Sequence, residues 1–175
     1  ADLLLTGRQR IKDRQRRGLI LSAARSYLFN QVVAERVHRG CLAEYLPGDR
    51  LMLEGTSNLS RETDSAVINQ LITELQLHPT APLYGSGRAL VEADSLALEA
   101  GILASHQQWC QGLEKAGLRR ERRAVRLAVP TLTWCWPDPQ TLELSFQLPP
   151  GCFATSVIRE CCRYSIAAEQ QVVTE

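Results

Sequence analysis

No apolar run in this 175-residue sequence approaches the roughly 18 residues that a membrane-spanning helix needs, and the N-terminus lacks the basic-then-apolar order of a signal peptide. Those absences predict a cytoplasmic protein without a membrane partner. The six cysteines, Cys41, Cys110, Cys135, Cys152, Cys161 and Cys162, form no C-x-x-C pair and have no histidines at ligand spacing around them. This argues against zinc. In a reducing compartment the thiols are expected to be small buried hydrophobes rather than disulfides. An initiator methionine is lacking too: Ala1 leads straight to Leu3-Leu4-Leu5, which reads as a piece of something longer. Gly85-Ser86-Gly87 could cradle a phosphate, but without a preceding strand or the remaining glycines of a nucleotide fingerprint it reads as a turn.

What is present is an ordinary globular composition, 45% hydrophobic and 22% charged, fitting one or two domains. The net charge of +1 hides an uneven distribution. Arg8, Arg10, Lys12, Arg14, Arg16, Arg17 and Arg25 crowd the start against only Asp2 and Asp13. A second basic cluster runs through Lys115, Arg119, Arg120, Arg122, Arg123 and Arg126, with acidic residues between the two. Clustered Arg and Lys are the footprint of a protein that neutralises nucleic-acid phosphates; the alternative is a solvated helix face.

Along the chain, Ala23, Ala24, Leu28, Val32, Val33 and Val37 recur at helical spacing from Ser22 until Gly40. Pro47-Gly48-Asp49 signals a turn, and Leu51-Met52-Leu53 a short strand beyond it. A helical stripe over Val67, Ile68, Leu71, Ile72 and Leu75 predicts a helix from Asp64 to about Leu77, closed by His78-Pro79. From Ala89 to Ala116 the pattern predicts one long helix or two joined near Gly101. The period then changes to two, giving strands around Thr131–Trp136 and Leu142–Leu148, before Thr155 or Ser156 caps a final helix.

An isolated hairpin with one helix buries too little surface to be stable, and unpaired strands present sticky edges. The segment from Leu127 to about Cys162 is therefore expected to complete a sheet begun by sequence upstream of Ala1, with the helical region before it inserted into that domain.

Two blocks then carry a resemblance. Leu21-Ser-Ala-Ala-Arg-Ser26, continued by Leu28-Phe-Asn30 and Val33-Ala-Glu-Arg36, resembles the signature helix of the TruD-type pseudouridine synthases. Leu148-Pro-Pro-Gly-Cys-Phe-Ala-Thr-Ser-Val157, followed by Arg159-Glu160, resembles the closing motif of the same family. Weaker agreement lies between them in Gly48-Asp49, Pro82-Leu83 and the Trp134 to Trp136 strand, in the same order. Cys152 stands where a serine is common in relatives, and the sequence after Glu160 departs from the family's ending.

The resemblance implies an α+β chain: a mostly helical TruD insertion domain over 1–127 with a basic leading segment at 7–18, strands and a helix over 128–162 that complete the catalytic α/β sheet, and a tail over 163–175. It implies the carboxy-terminal half of an enzyme, monomeric when full length, that isomerises a uridine in the D arm of tRNA without metal or cofactor. The target base is flipped out, an aspartate attacks it, the glycosidic bond breaks and the ring rejoins through carbon. Ile11-Lys12-Asp13-Arg14 resembles the family's nucleophile motif, but no strand pattern precedes it, and Asp13 is read as a surface ion-pair member. No catalytic residue is therefore assigned in this chain, and the aspartate nucleophile is expected upstream.

Phe153 is the candidate for stacking on the flipped base or its neighbour, a core phenylalanine being the alternative. Arg8, Arg10, Lys12, Arg14, Arg16, Arg17, Arg119, Arg120 and Arg123 are assigned to the RNA backbone. Thr155 and Ser156 can hold a phosphate at the last helix or merely cap it, and Arg159 can reach RNA or pair with Glu160. Arg25 and Asn30 are expected to be structural links between the two domains. Part of an active isomerase, a non-catalytic RNA-binding remnant and a protein-only adaptor remain as functional readings, in that order.

Overall fold

A computed structural model describes residues 1–8 and 11–165; Arg10 and the tail from residue 166 onward lie outside the described residues. The chain divides into two compact units, Ala1–Ala128 and a second that starts at Val129. Each mixes helices with small antiparallel sheets, so the fold is α+β.

The first unit contains α1 (Asp2–Leu5), α2 (Arg14–His38), β1 (Leu51–Leu53), α3 (Ser65–Thr73), β2 (Leu77–Leu83), α4 (Ala93–Ala104), α5 (Gln107–Lys115) and β3 (Glu121–Ala124). The strands form an antiparallel sheet in the order β1-β2-β3. The long helix α2 buries Leu21, Ala24, Leu28, Phe29, Val32 and Arg36. Leu21, Ala24 and Leu28 pack with Leu5, Cys110 and Leu113, which seats α1 and α5 against one end of α2. Phe29 and Val32 pack with Ala81 and Leu98, which seats β2 and α4 further along. A third cluster joins Leu51, Ile68, Ile72 and Leu77.

Several elements depart from their sequence pattern. Helix α2 starts eight residues before Ser22, because the Asp13 carboxylate accepts the Arg16 amide at 2.9 Å and caps it. Helix α3 stops at Thr73: Leu75 adopts a positive φ of 60°, which turns the chain so that Leu77 enters the core as the first residue of β2. β2 itself was hidden by Pro79 and Pro82. It tolerates them because β1 pairs only as far as Leu51↔Pro79, while β3 pairs from Thr80↔Ala124 onward, so each half has an open side where a missing N–H costs no ladder bond. The α4–α5 break falls at Ser105-His106 rather than at Gly101.

The second unit contains β4 (Thr133–Asp138), β5 (Thr141–Ser145) and α6 (Ala154–Cys161). The strands form a two-stranded hairpin with Trp134 opposite Leu144. None of its described residues from Val129 to Ser165 is buried. Trp134 is 67% exposed and Trp136 56%. Both lie on β4, whose register against β5 shifts between Cys135 and Asp138. The cysteines divide accordingly. Cys41 and Cys110 are buried in the first unit, whereas Cys135, Cys152 and Cys161 are exposed and Cys162 is partly so. The expectation of buried thiols fails for these four, which lie where there is no core to bury them.

Among the described residues no helix is long and apolar enough to cross a membrane.

Candidate nucleic-acid interface

The first basic cluster sits where a helix least favours it. Arg14, Arg16 and Arg17 occupy the first turn of α2, which holds no acidic residue, and all three are exposed. The helix dipole makes this end positive, so each cation there costs about 0.3–1 kcal/mol relative to a neutral residue. The same positive field strengthens attraction for a phosphate. Lys12 and Arg8 are exposed just before it. Asp13 accepts from the helix amide and so belongs to the cap.

The second cluster separates by strand alternation. Arg122 points inward: it is 9% exposed, its Nη2 lies 2.6 Å from Glu99, and its Nε donates to the Thr80 hydroxyl. Arg119 and Arg123 are exposed on the other side of the strand run, and the Arg123 guanidinium lies 3.9 Å over the Phe29 ring. Arg120 is half-buried over Tyr84, 4.4 Å from its centroid. The Tyr84 hydroxyl donates to Glu114 at 3.0 Å, and desolvation first, then that bond, push its pKa above the ordinary value.

Arg25 spans from α2 to the ends of β2 and β3, donating to the carbonyls of Tyr84, Leu83 and Arg119 and to Glu121. It is a structural clamp, as expected, but all of these partners lie within the first unit. Asn30 is exposed. The glycine loop is closed to a phosphate as well. The Ser86 amide donates to Leu118 and its carbonyl accepts from Arg120, and a Cβ on Gly85 would come within 2.5 Å of the Leu118 carbonyl oxygen. Gly85 serves close backbone packing against Leu118 and Arg119, just before β3.

The two basic clusters meet at α5. Arg17 and Lys115 line one hollow of about 200 Å3, together with Leu4, Leu21 and Ala116. Arg8 and Lys115 line an adjoining one of similar size with Gln108 and Gln111. The sequence places Lys115 in the second cluster without marking it as facing Arg17, although Gln108, Gln111 and Lys115 stand at i, i+3 and i+7, one face of a helix.

In the second unit, Phe153 is 72% exposed and is itself the N-cap residue of α6, so Thr155 and Ser156 lie inside the first turn rather than capping it. Both are exposed, as is Arg159 one turn further. Phe153, Thr155 and Ser156 share the start of a single short helix, Arg159 lies in its last turn, and none belongs to a core.

A family profile described as tRNA pseudouridine synthase D (TruD) matches residues 9–161, from the basic segment to the last residue of α6. The chain belongs to the TruD family. Among curated relatives, the tRNA pseudouridine synthase D of Nitrosococcus oceani is 40% identical over 161 residues, covering 91% of this chain and 45% of the relative. That of Pseudomonas entomophila is 44% identical over 149 residues, covering 85% of this chain and 42% of the relative. This TruD-family chain therefore spans less than half the length of the curated relatives it matches. A Methanosarcina mazei crystal structure described as a tRNA pseudouridine synthase D (TruD) superimposes with a TM-score of 0.59 at 24% identity, covering 78% of this chain and 36% of that one. That likeness concerns the fold.

Proposed function

We propose that this TruD-family chain supplies the insertion domain and the closing strands of an enzyme that isomerises a uridine in the D arm of tRNA to pseudouridine, and that the aspartate nucleophile is carried by protein sequence outside these residues. The observation that carries this is the second unit. Its hairpin and helix bury no described residue and leave Trp134, Trp136 and Phe153 in solvent. Two strands and one helix are marginal by themselves in water. The segment makes physical sense as the last part of a larger sheet, and relatives more than twice as long have the chain to build it.

The division of labour follows from the chemistry. The base must leave its stack, at a cost of a few kcal/mol. The attacking carboxylate then opens the glycosidic bond, and the freed ring turns and rejoins through carbon. In this reading Phe153 stacks on the flipped base or its neighbour, Thr155, Ser156 and Arg159 receive the adjoining phosphates, and the cations of α2 and β3 hold the tRNA backbone. The full-length enzyme acts as a monomer in the cytoplasm.

The test mixes this chain with the amino-terminal half of a relative and measures pseudouridine in unmodified tRNA. Product is expected only when both halves are present, and Phe153→Ala should depress the rate without dissociating the halves. Product from this chain alone would refute the assignment of the nucleophile elsewhere. Tight, salt-sensitive tRNA binding with no product from the mixture would favour a non-catalytic RNA-binding remnant.

A further inference from the structure

Helix α1 reaches α5 by an unusually close backbone contact. A Cβ on Gly112 would lie 2.4 Å from the Leu5 carbonyl oxygen, so only glycine lets α1 settle there. On either side of that contact lie the two hollows, which share Leu5, Thr6, Gly112 and Lys115. They differ in chemistry. One has an apolar wall of Leu4, Leu21 and Ala116, with Arg17 at its side. The other is polar, with Arg8 and the amide side chains of Gln108 and Gln111. Among the described residues no carboxylate lines either of them, although three cations do.

We infer that this paired hollow of the first unit is a binding subsite for one unstacked nucleotide of a single-stranded RNA segment. The inference rests on the RNA-binding reading above. The phosphate takes the polar side, where Arg8 and Lys115 supply charge and Gln108 and Gln111 supply amide donors. The base takes the other side, with its face on the apolar wall and the Arg17 guanidinium, a plane on which bases stack. The first turn of α2 adds its positive end. A duplex would not satisfy the site, because its bases are stacked and their faces closed to the apolar wall.

The experiment measures fluorescence anisotropy of a labelled single-stranded oligoribonucleotide, and of its duplex, with this chain. Lys115→Gln and Arg17→Gln should each weaken single-strand binding about tenfold, the worth of one charged hydrogen bond lost at Lys115 and of one stacking plane lost at Arg17. Arg61→Gln removes an equal charge from an exposed loop position outside both hollows and should change affinity by less than about twofold. A strand containing 4-thiouridine should crosslink to peptides covering 4–21 or 103–117. Unchanged circular dichroism checks that the variants fold. If the chain binds RNA but Lys115→Gln acts no more strongly than Arg61→Gln, or crosslinks fall elsewhere, the subsite is wrong and the wider reading stands. If the chain binds no RNA, both are wrong.

Discussion

Arg36 and Asp49 meet as a buried two-pronged ion pair, with Nη1 and Nη2 at 2.9 and 2.7 Å from the two carboxylate oxygens and both side chains out of solvent. Asp49 also accepts from the Leu46 amide at 3.0 Å and the Ser95 hydroxyl at 2.6 Å, and Arg36 donates to the Glu44 carbonyl at 2.9 Å. One carboxylate thus joins α2, the Pro47–Asp49 turn and α4. Removing either partner strands a charge in the interior, at a cost of about 3–5 kcal/mol. Asp49→Ala should therefore lower the stability of the first unit by about that amount in a denaturant titration, and a loss under about 1 kcal/mol would contradict the assignment.

Arg122 and Arg119 should behave as different kinds of arginine. Arg122→Gln breaks the buried contacts to Glu99 and Thr80 and should lower the melting temperature. Arg119→Gln should leave stability nearly intact while reducing the salt dependence of tRNA binding by about one unit of slope. Equal effects of the two on binding would remove the distinction between the buried Arg122 of β3 and the exposed Arg119 just before it.

Asp13 is a cap, so Asp13→Asn should preserve both fold and pseudouridine formation in the reconstituted enzyme, because asparagine caps nearly as well. Asp13→Ala should cost about 1 kcal/mol of stability, read by thermal unfolding, and still leave turnover. Loss of turnover in the stable Asn variant would return Asp13 to the list of nucleophiles.

Thiol labelling should split the cysteines. Burial first of all pushes the Cys110 thiol above its ordinary pKa, so the reactive thiolate is scarcer there as well as covered. Iodoacetamide followed by mass spectrometry should modify Cys135, Cys152 and Cys161 rapidly in this chain and leave Cys41 and Cys110 until it unfolds. Early labelling of Cys110 would contradict the packing of α5.

How far the sequence could be read depended on whether local pattern or distant partners shape each element. Leu51–Leu53 was legible from the turn signal at Pro47-Gly48-Asp49 before it, and β4 and β5 because period-two patterning is local. The start of α2 was not, since Arg14 to Arg17 carry no apolar stripe and only the Asp13 cap marks it. β3 was hidden because Arg122 and Arg123 look alike in sequence, and what buries one of them is Glu99, 23 residues away. In the interface, clustered charge made the arginines visible. The meeting of Arg17 with Lys115 depends on the seating of α1 and α5 against α2, which no window of sequence contains.

The most direct test of the account is hydrogen exchange across the second unit. In this chain alone the amides of Thr133–Asp138, Thr141–Ser145 and Ala154–Cys161 should exchange nearly as fast as an unfolded peptide, while α2 and β2 stay protected. Adding the amino-terminal half of a relative should slow them by orders of magnitude. Strong protection of that hairpin and helix in the isolated chain would show that they are complete without a larger sheet, and would contradict the account.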